Sequence, residues 1–275
     1  MFDRFCRRRF IITIILLGYI AGSSAGAATV SEAGKGLQQG SDGSRTCWAD
    51  ALLDLPGEGM QEAYRTYSDP DNLMLLLMAG GGSIALQDRA DGTIARHFDE
   101  HRALSHDFDK LVDWTGSPVT HFAAAALWYV ISADRGDEFN RQRSWALTKS
   151  LVVTGTTTVL LKAINNNHTP NGKNFAWPSG HTASSFCVAS VLDEFYGPKV
   201  GLYAYGLAGF VGYRMMDSGD HWASDVLFGA VLGYVVGHSV AGEHKKIEVA
   251  GFDVLPYVSN IRGRSVMGIS VAKEF

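Results

Sequence analysis

The sequence predicts an all-α fold: a six-helix bundle followed by a short tail with β character. Three observations carry that prediction. Apolar segments recur between charged breaks from Asp71 onward. Few of these segments alternate at period two between turn residues, as half-buried strands would. With 46% apolar and 19% charged residues over 275 positions, the chain can bury a sizeable core and is not intrinsically disordered.

Residues 1–27 read as a secretory signal peptide. Arg4, Arg7, Arg8 and Arg9 form a positive head, residues 10–21 a short apolar run, and Ala25, Gly26 and Ala27 a small-residue cleavage pattern. The expected product is an exported protein of the periplasm or the cell-envelope membrane. Its active side would lie on the outer face of the inner membrane. The formal charge of the whole chain is −4. Without four Arg and one Asp of the signal, 20 basic residues face 27 acidic ones, a balance of −7. No long basic stretch interrupts it, which excludes a nucleic-acid partner.

Residues 28–69, rich in Gly, Ser and Ala, read as a flexible leader. The bundle domain is expected over 70–242. Its helices fall in 73–86, 114–133, 150–161, 182–192, 200–213 and 226–242. Only 114–133 keeps an uncharged core of the ~20 residues needed to span a bilayer. Gly80 to Gly82, Gly201, Gly206, Gly209 and Gly212 are read as sites of close helix approach. The tail, 243–275, holds two β-like runs at 254–258 and 265–271, read as a hairpin or an edge strand. Cys6 leaves with the signal. Cys187 lies in an apolar helical run and reads as a small buried hydrophobe rather than a disulfide partner of Cys47.

Three stretches carry chemistry. In the first, Lys162 ends an apolar helix and an Asn-rich loop follows, through His168, Thr169, Pro170 and Lys173. The second is Pro178-Ser179-Gly180-His181. Pro breaks the chain and Ser caps the next helix, whose free N–H groups and partial positive charge suit a phosphate. Gly180 lets the backbone approach an anion, and His181 in the first turn is placed for proton transfer. In the third, His221 and Asp225 stand four apart on one helix face. There a carboxylate on one imidazole nitrogen makes the other more nucleophilic. Upstream, Arg214 ends a helix and can bind an oxyanion. His97 and His101, also four apart, lie in a charge run that reads as a solvated helix.

Taken together these stretches resemble the type 2 phosphatidic acid phosphatase and vanadium haloperoxidase superfamily, over roughly residues 70–240. Its pattern is Lys-x6-Arg-Pro, then Pro-Ser-Gly-His, then Ser-Arg-x5-His-x3-Asp. The second motif is complete at 178–181, and the His-x3-Asp half of the third at His221 and Asp225. The resemblance implies a PAP2-like bundle. It implies that His221 is the nucleophile giving a phospho-histidine, Asp225 orients it, and His181 is the general acid. Lys162, Ser179, Gly180 and Arg214 are implied as the phosphate cradle. The resemblance also implies that hydrolysis needs no metal or other cofactor. In a haloperoxidase the same pocket would hold vanadate on His221.

Two positions depart from the pattern. Thr169 stands where the first motif has Arg. Met215 stands where strict counting puts the second Arg, so Arg214 fits only if the turn before His221 carries one extra residue. Lys173 is expected to supply the missing charge, as the unambiguous cation between Thr169 and Pro178. The function expected is hydrolysis of a phosphomonoester or pyrophosphate on a lipid or polyprenyl carrier, with membrane association. A soluble periplasmic acid phosphatase acting on small phosphoesters is the second reading. A non-catalytic phosphate- or phospholipid-binding relative is the third.

Overall fold

The computed structural model describes residues 48–242, 247–249, 252–261 and 264–272. The signal peptide, Cys6 and Cys47 lie outside them. Nine helices occur among the described residues: α1 Trp48–Ser68, α2 Pro70–Arg89, α3 Asp91–Glu100, α4 His106–Thr115, α5 Pro118–Arg135, α6 Glu138–Asn165, α7 Gly180–Tyr196, α8 Pro198–Asp217 and α9 Ala223–Gly242. Three strands follow: β1 Ile247–Val249, β2 Phe252–Ile261 and β3 Arg264–Ala272. They pair antiparallel in the order β1-β2-β3. Trp48–Gly57 clusters apart from Glu58 onward.

The six expected segments lie in α2 and in α5 to α9. Three helices are additional. Helix α1 occupies residues assigned to the leader, and from Glu58 onward it is tied to the bundle. Lys149 Nζ donates to buried Glu62 Oε1 at 2.6 Å, and the hydroxyls of Tyr67 and Thr157 meet at 2.6 Å. Helices α3 and α4 are short and charged, so no long apolar run marks them. The 114–133 run is also broken. Gly116 ends α4, and Ser117 caps α5 by accepting from the Val119 amide at 3.2 Å. Pro118 opens α5, where its missing N–H costs nothing. Among the described residues, the helices long and apolar enough to cross a membrane are instead α6 and α9.

Helix α7 packs against α5, α6, α8 and α9. One core cluster joins Ala79, Val153, Phe228, Leu232, Val236 and Val240. Another joins Ala125, Leu147, Leu151, Cys187, Val191 and Ala241, with Cys187 fully buried. The α7–α9 contact is set by three glycines four apart on α9. A Cβ on Gly229 would sit 2.7 Å from the Ser179 carbonyl oxygen. On Gly233 it would sit 2.1 Å from that of Ala183, and on Gly237 2.7 Å from that of Cys187. Those neighbours are backbone and cannot swing away, so the stripe fixes how closely the two helices lie. Of the glycines singled out by sequence, Gly82, Gly201 and Gly212 do meet close neighbours. Gly81, Gly206 and Gly209 face open space.

Gly233→Ala is therefore expected to destabilise the fold by about 1–3 kcal/mol through overpacking. Gly209→Ala should be neutral, or stabilising by about 0.5–1 kcal/mol, because alanine costs less backbone entropy in a helix. Thermal unfolding of the two variants decides this, and equal shifts would contradict the close-contact account.

Candidate active site

The glycine-set contact brings the first turns of α7 and α9 side by side, beneath two connecting segments. Ser179 Oγ accepts from the Thr182 amide at 3.4 Å and lies 2.9 Å from Thr182 Oγ1, capping α7. Its amide donates to the Asp225 carbonyl at 3.1 Å, tying the α7 cap to the start of α9. The α6–α7 loop is pinned to the turn before α9. Asn171 N donates to the Gly219 carbonyl at 3.1 Å, and Trp222 Nε1 to the His168 carbonyl at 2.7 Å. From α3, buried Asp91 accepts from Ser224 N at 3.0 Å and Ser224 Oγ at 2.5 Å, anchoring the start of α9.

His221 Nδ1 lies 3.2 Å from Asp225 Oδ2, which also accepts from the Trp222 amide at 3.0 Å. The carboxylate holds the proton on Nδ1 and leaves the lone pair on Nε2. Burial pushes the His221 pKa down, and the Asp225 hydrogen bond only partly offsets it. Asp225 is fully buried, and its Oδ1 makes no hydrogen bond. Burial also holds His181 down, at about 4, against the pull of Asp113 and with further lowering from His221 and Arg214.

The extra residue before His221 is absorbed by the end of α8. Helix α8 runs through Asp217, and Gly219 turns the chain at φ +70°. His221 N then donates back to the Met215 carbonyl at 3.0 Å. Met215 is buried core, so Arg214 is the residue at the site.

Arg214 is surrounded by carboxylates. Nε and Nη2 reach Asp109 at 2.7 and 3.1 Å. Nη1 reaches Asp113 at 2.8 Å and Asp220 at 3.0 Å. Asp220 also accepts from Lys173 Nζ at 2.7 Å and from Asn171 Nδ2 at 2.8 Å. Burial opposes charge on Asp220, yet hydrogen bonds from Lys173, Ser218 and Asn171 outweigh it and hold its pKa at about 2. Lys173 itself is largely exposed. Lys162 Nζ donates to the Phe175 carbonyl and, at 3.0 Å, to that of Ala176, which leaves one N–H.

The structure thus gathers His181, His221, Asp225, Arg214, Lys173 and Lys162 around one set of connections. It assigns Ser179 Oγ to capping, fully buried, rather than to an open cradle. A Cβ on Gly180 would meet Thr158 only at ordinary contact distance, so glycine is not sterically required there. Asp109, Asp113 and Asp220 were not singled out by sequence. Asp109 and Asp113 stand four apart on α4, and that spacing was the available signal. His97 and His101 stack on each other at 4.8 Å. His121 meets Ser184 at 3.0 Å, a satisfied interior contact.

The family model described as the PAP2 superfamily matches residues 88–246. The chain belongs to the PAP2 superfamily. Among curated relatives of this PAP2 protein, the lipid A 1-phosphatase of Porphyromonas gingivalis is 42% identical over 65 residues. That stretch is 22% of this chain and 15% of the relative. Two solved structures are similar. Aquifex aeolicus LpxE shares 21% identity over 54% of this chain and 92% of its own, with a TM-score of 0.46. The transmembrane PAP2 type phosphatidylglycerolphosphate phosphatase of Bacillus subtilis shares 20% over 67% and 98%, with a TM-score of 0.47.

Proposed function

We propose that this PAP2 protein is a membrane-associated phosphatase acting on a phosphomonoester or pyrophosphate of a lipid or polyprenyl carrier. The observation that carries it is the buried His221–Asp225 pair with His181 and Arg214 beside it. His221 Nε2 attacks phosphorus, the bond to the leaving oxygen breaks, and His181 gives that oxygen a proton. Water then attacks the phospho-histidine, passing its proton to His181 as the P–N bond breaks, and phosphate leaves. Lys162, Arg214, Lys173 and the Gly180 backbone hold the phosphate, with Lys173 in place of the cation absent at Thr169.

The lipid reading is favoured by apolar side chains left exposed on several helices. Leu77 and Met78 on α2, Leu127 on α5, and Leu202 and Leu207 on α8 are each more than 60% exposed. Large apolar side chains left this exposed suit an acyl environment rather than water. The 42%-identical stretch of a lipid A 1-phosphatase points the same way. The Arg-headed apolar segment at residues 4–21 supports reading it as an exported enzyme of the cell envelope.

Phosphate release by the purified full chain from phosphorylated lipids and from small phosphoesters tests this. Faster release from lipids is expected. Preference for small esters without detergent would favour the soluble acid phosphatase, and phosphate binding without turnover the non-catalytic relative. The pH profile is expected to peak on the acid side of neutral. A lowered His221 pKa keeps the nucleophile neutral below pH 6.5, whereas His181 must be protonated and loses its proton as pH rises. In the complex a phosphate dianion lifts His181 above its free value. A rate climbing steadily above pH 8 would contradict this.

A further inference from the structure

We propose that Asp113 is the positioning residue of the general acid, its carboxylate fixing which nitrogen of His181 exchanges the proton with the substrate. The inference rests on the phosphatase reading for the role of His181, but its geometry stands independently. Asp113 Oδ1 lies 3.3 Å from His181 Nε2 and 2.8 Å from Arg214 Nη1. Arg214 does not need Asp113 for its orientation, because Asp109 already holds Nε and Nη2 as a fork. Asp113 is also 47% exposed at its side chain, so burial does not explain its place on α4. What it adds is a carboxylate on the imidazole of His181.

Asp113 faces Nε2 as an ion-pair partner, and a small turn of the ring lets it accept the Nε2 proton, which leaves Nδ1 to give a proton to the leaving oxygen. It then takes one back from the attacking water. The imidazole never has to flip between the two steps, and one proton is returned for each one given. The His181 surroundings explain why a carboxylate is needed there. Arg214 from α8, His221 from the following turn and His121 from α5 all disfavour a second positive charge. Asp113 from α4 and Asp220 from the turn favour it. Asp113 is the one of these carboxylates in contact with the ring among the described residues.

Asp113→Asn tests this in the full chain, with Asp113→Glu as the charge-restoring variant. Histidine imidazole NMR, with the His181 signal assigned through His181→Gln, reads the His181 midpoint directly. Asp113→Asn is expected to lower it by about one unit, the low end for an adjacent, half-exposed opposite charge. Asp113→Glu should restore most of the shift. The basic limb of kcat/KM should move to lower pH by a similar amount. At pH 7 kcat should fall about tenfold with KM little changed, since a charge-saturated Arg214 loses only one of its partners. An unmoved His181 midpoint overturns the proposal at any activity level, and so does a moved midpoint with an unmoved pH profile. A wild type that releases no phosphate while the midpoint moves defeats the phosphatase reading and leaves the Asp113–His181 pairing in place.

Discussion

Replacing His221 by alanine is expected to reduce phosphate release about a thousandfold or more, at a cost of about 1–3 kcal/mol in stability because buried Asp225 loses a donor. In the proposed mechanism neither neighbouring group can take over from His221. His181 is spent on the proton and pairs with Asp113, and Lys162 donates to two loop carbonyls. The imidazole of His221 itself donates only to Asp225, so its removal breaks one buried contact rather than a network. Asp225→Asn is expected to cost about a hundredfold or more by a different route. Its amide can turn an N–H toward Nδ1, which moves the lone pair to the wrong nitrogen. Rapid quenching during turnover should trap an acid-labile phosphoryl group on the wild type and none on His221→Ala. Activity of His221→Ala within tenfold of wild type would end the phospho-histidine reading.

The order and spacing of the motifs made His181, His221 and Asp225 legible as one candidate site, because each motif closes within a few residues. Pro178 to His181 and His221 to Asp225 are local, and a local pattern survives without knowledge of the fold. Six of the long helices were legible for a similar reason, as runs too apolar to be anything but buried or lipid-facing, whereas α1, 21 residues long but without such a run, was read as leader. Partners distant in sequence were not. Asp109 reaches Arg214 across 105 residues, and Asp91 reaches Ser224 across 133. Both sit in charged stretches, where solvation is the ordinary expectation for a carboxylate. Their burial depends on a cation or a helix start arriving from far along the chain.

The same limit applies to the glycines. Gly201 and Gly212 were picked out along with Gly206 and Gly209, which face nothing. Composition alone cannot separate a glycine at a helix contact from one on an open face. The period of four at Gly229, Gly233 and Gly237 does separate them, because it keeps all three on one side of α9. That stripe has a functional consequence. It sets α7 against α9, and hence His181 near the His221–Asp225 pair at their first turns.

Arg214→Ala should destabilise the fold by about 3–5 kcal/mol, the range for removing one partner of a buried ion pair. The guanidinium is 6% exposed at its side chain and Asp109 10%, so water cannot replace the lost fork. Arg214→Lys should recover little, because a single ammonium cannot meet Asp109 bidentately and also reach Asp113 and Asp220. Adding Asp109→Asn to Arg214→Ala should return part of the lost stability by removing the uncompensated charge. That return separates the ion-pair account from simple loss of packing. The network is most stable where its carboxylates are ionised. For Asp220, held down at about 2, this contribution is present above the ordinary carboxylate range and fades as pH falls toward 2. Activity should fall as well, about 10- to 100-fold, for a lost charge-assisted phosphate contact. Thermal unfolding of the single and double variants, read with phosphate release at a temperature where all are folded, checks both effects. A double variant no more stable than Arg214→Ala would mean that Asp109 is not the charge Arg214 holds in place.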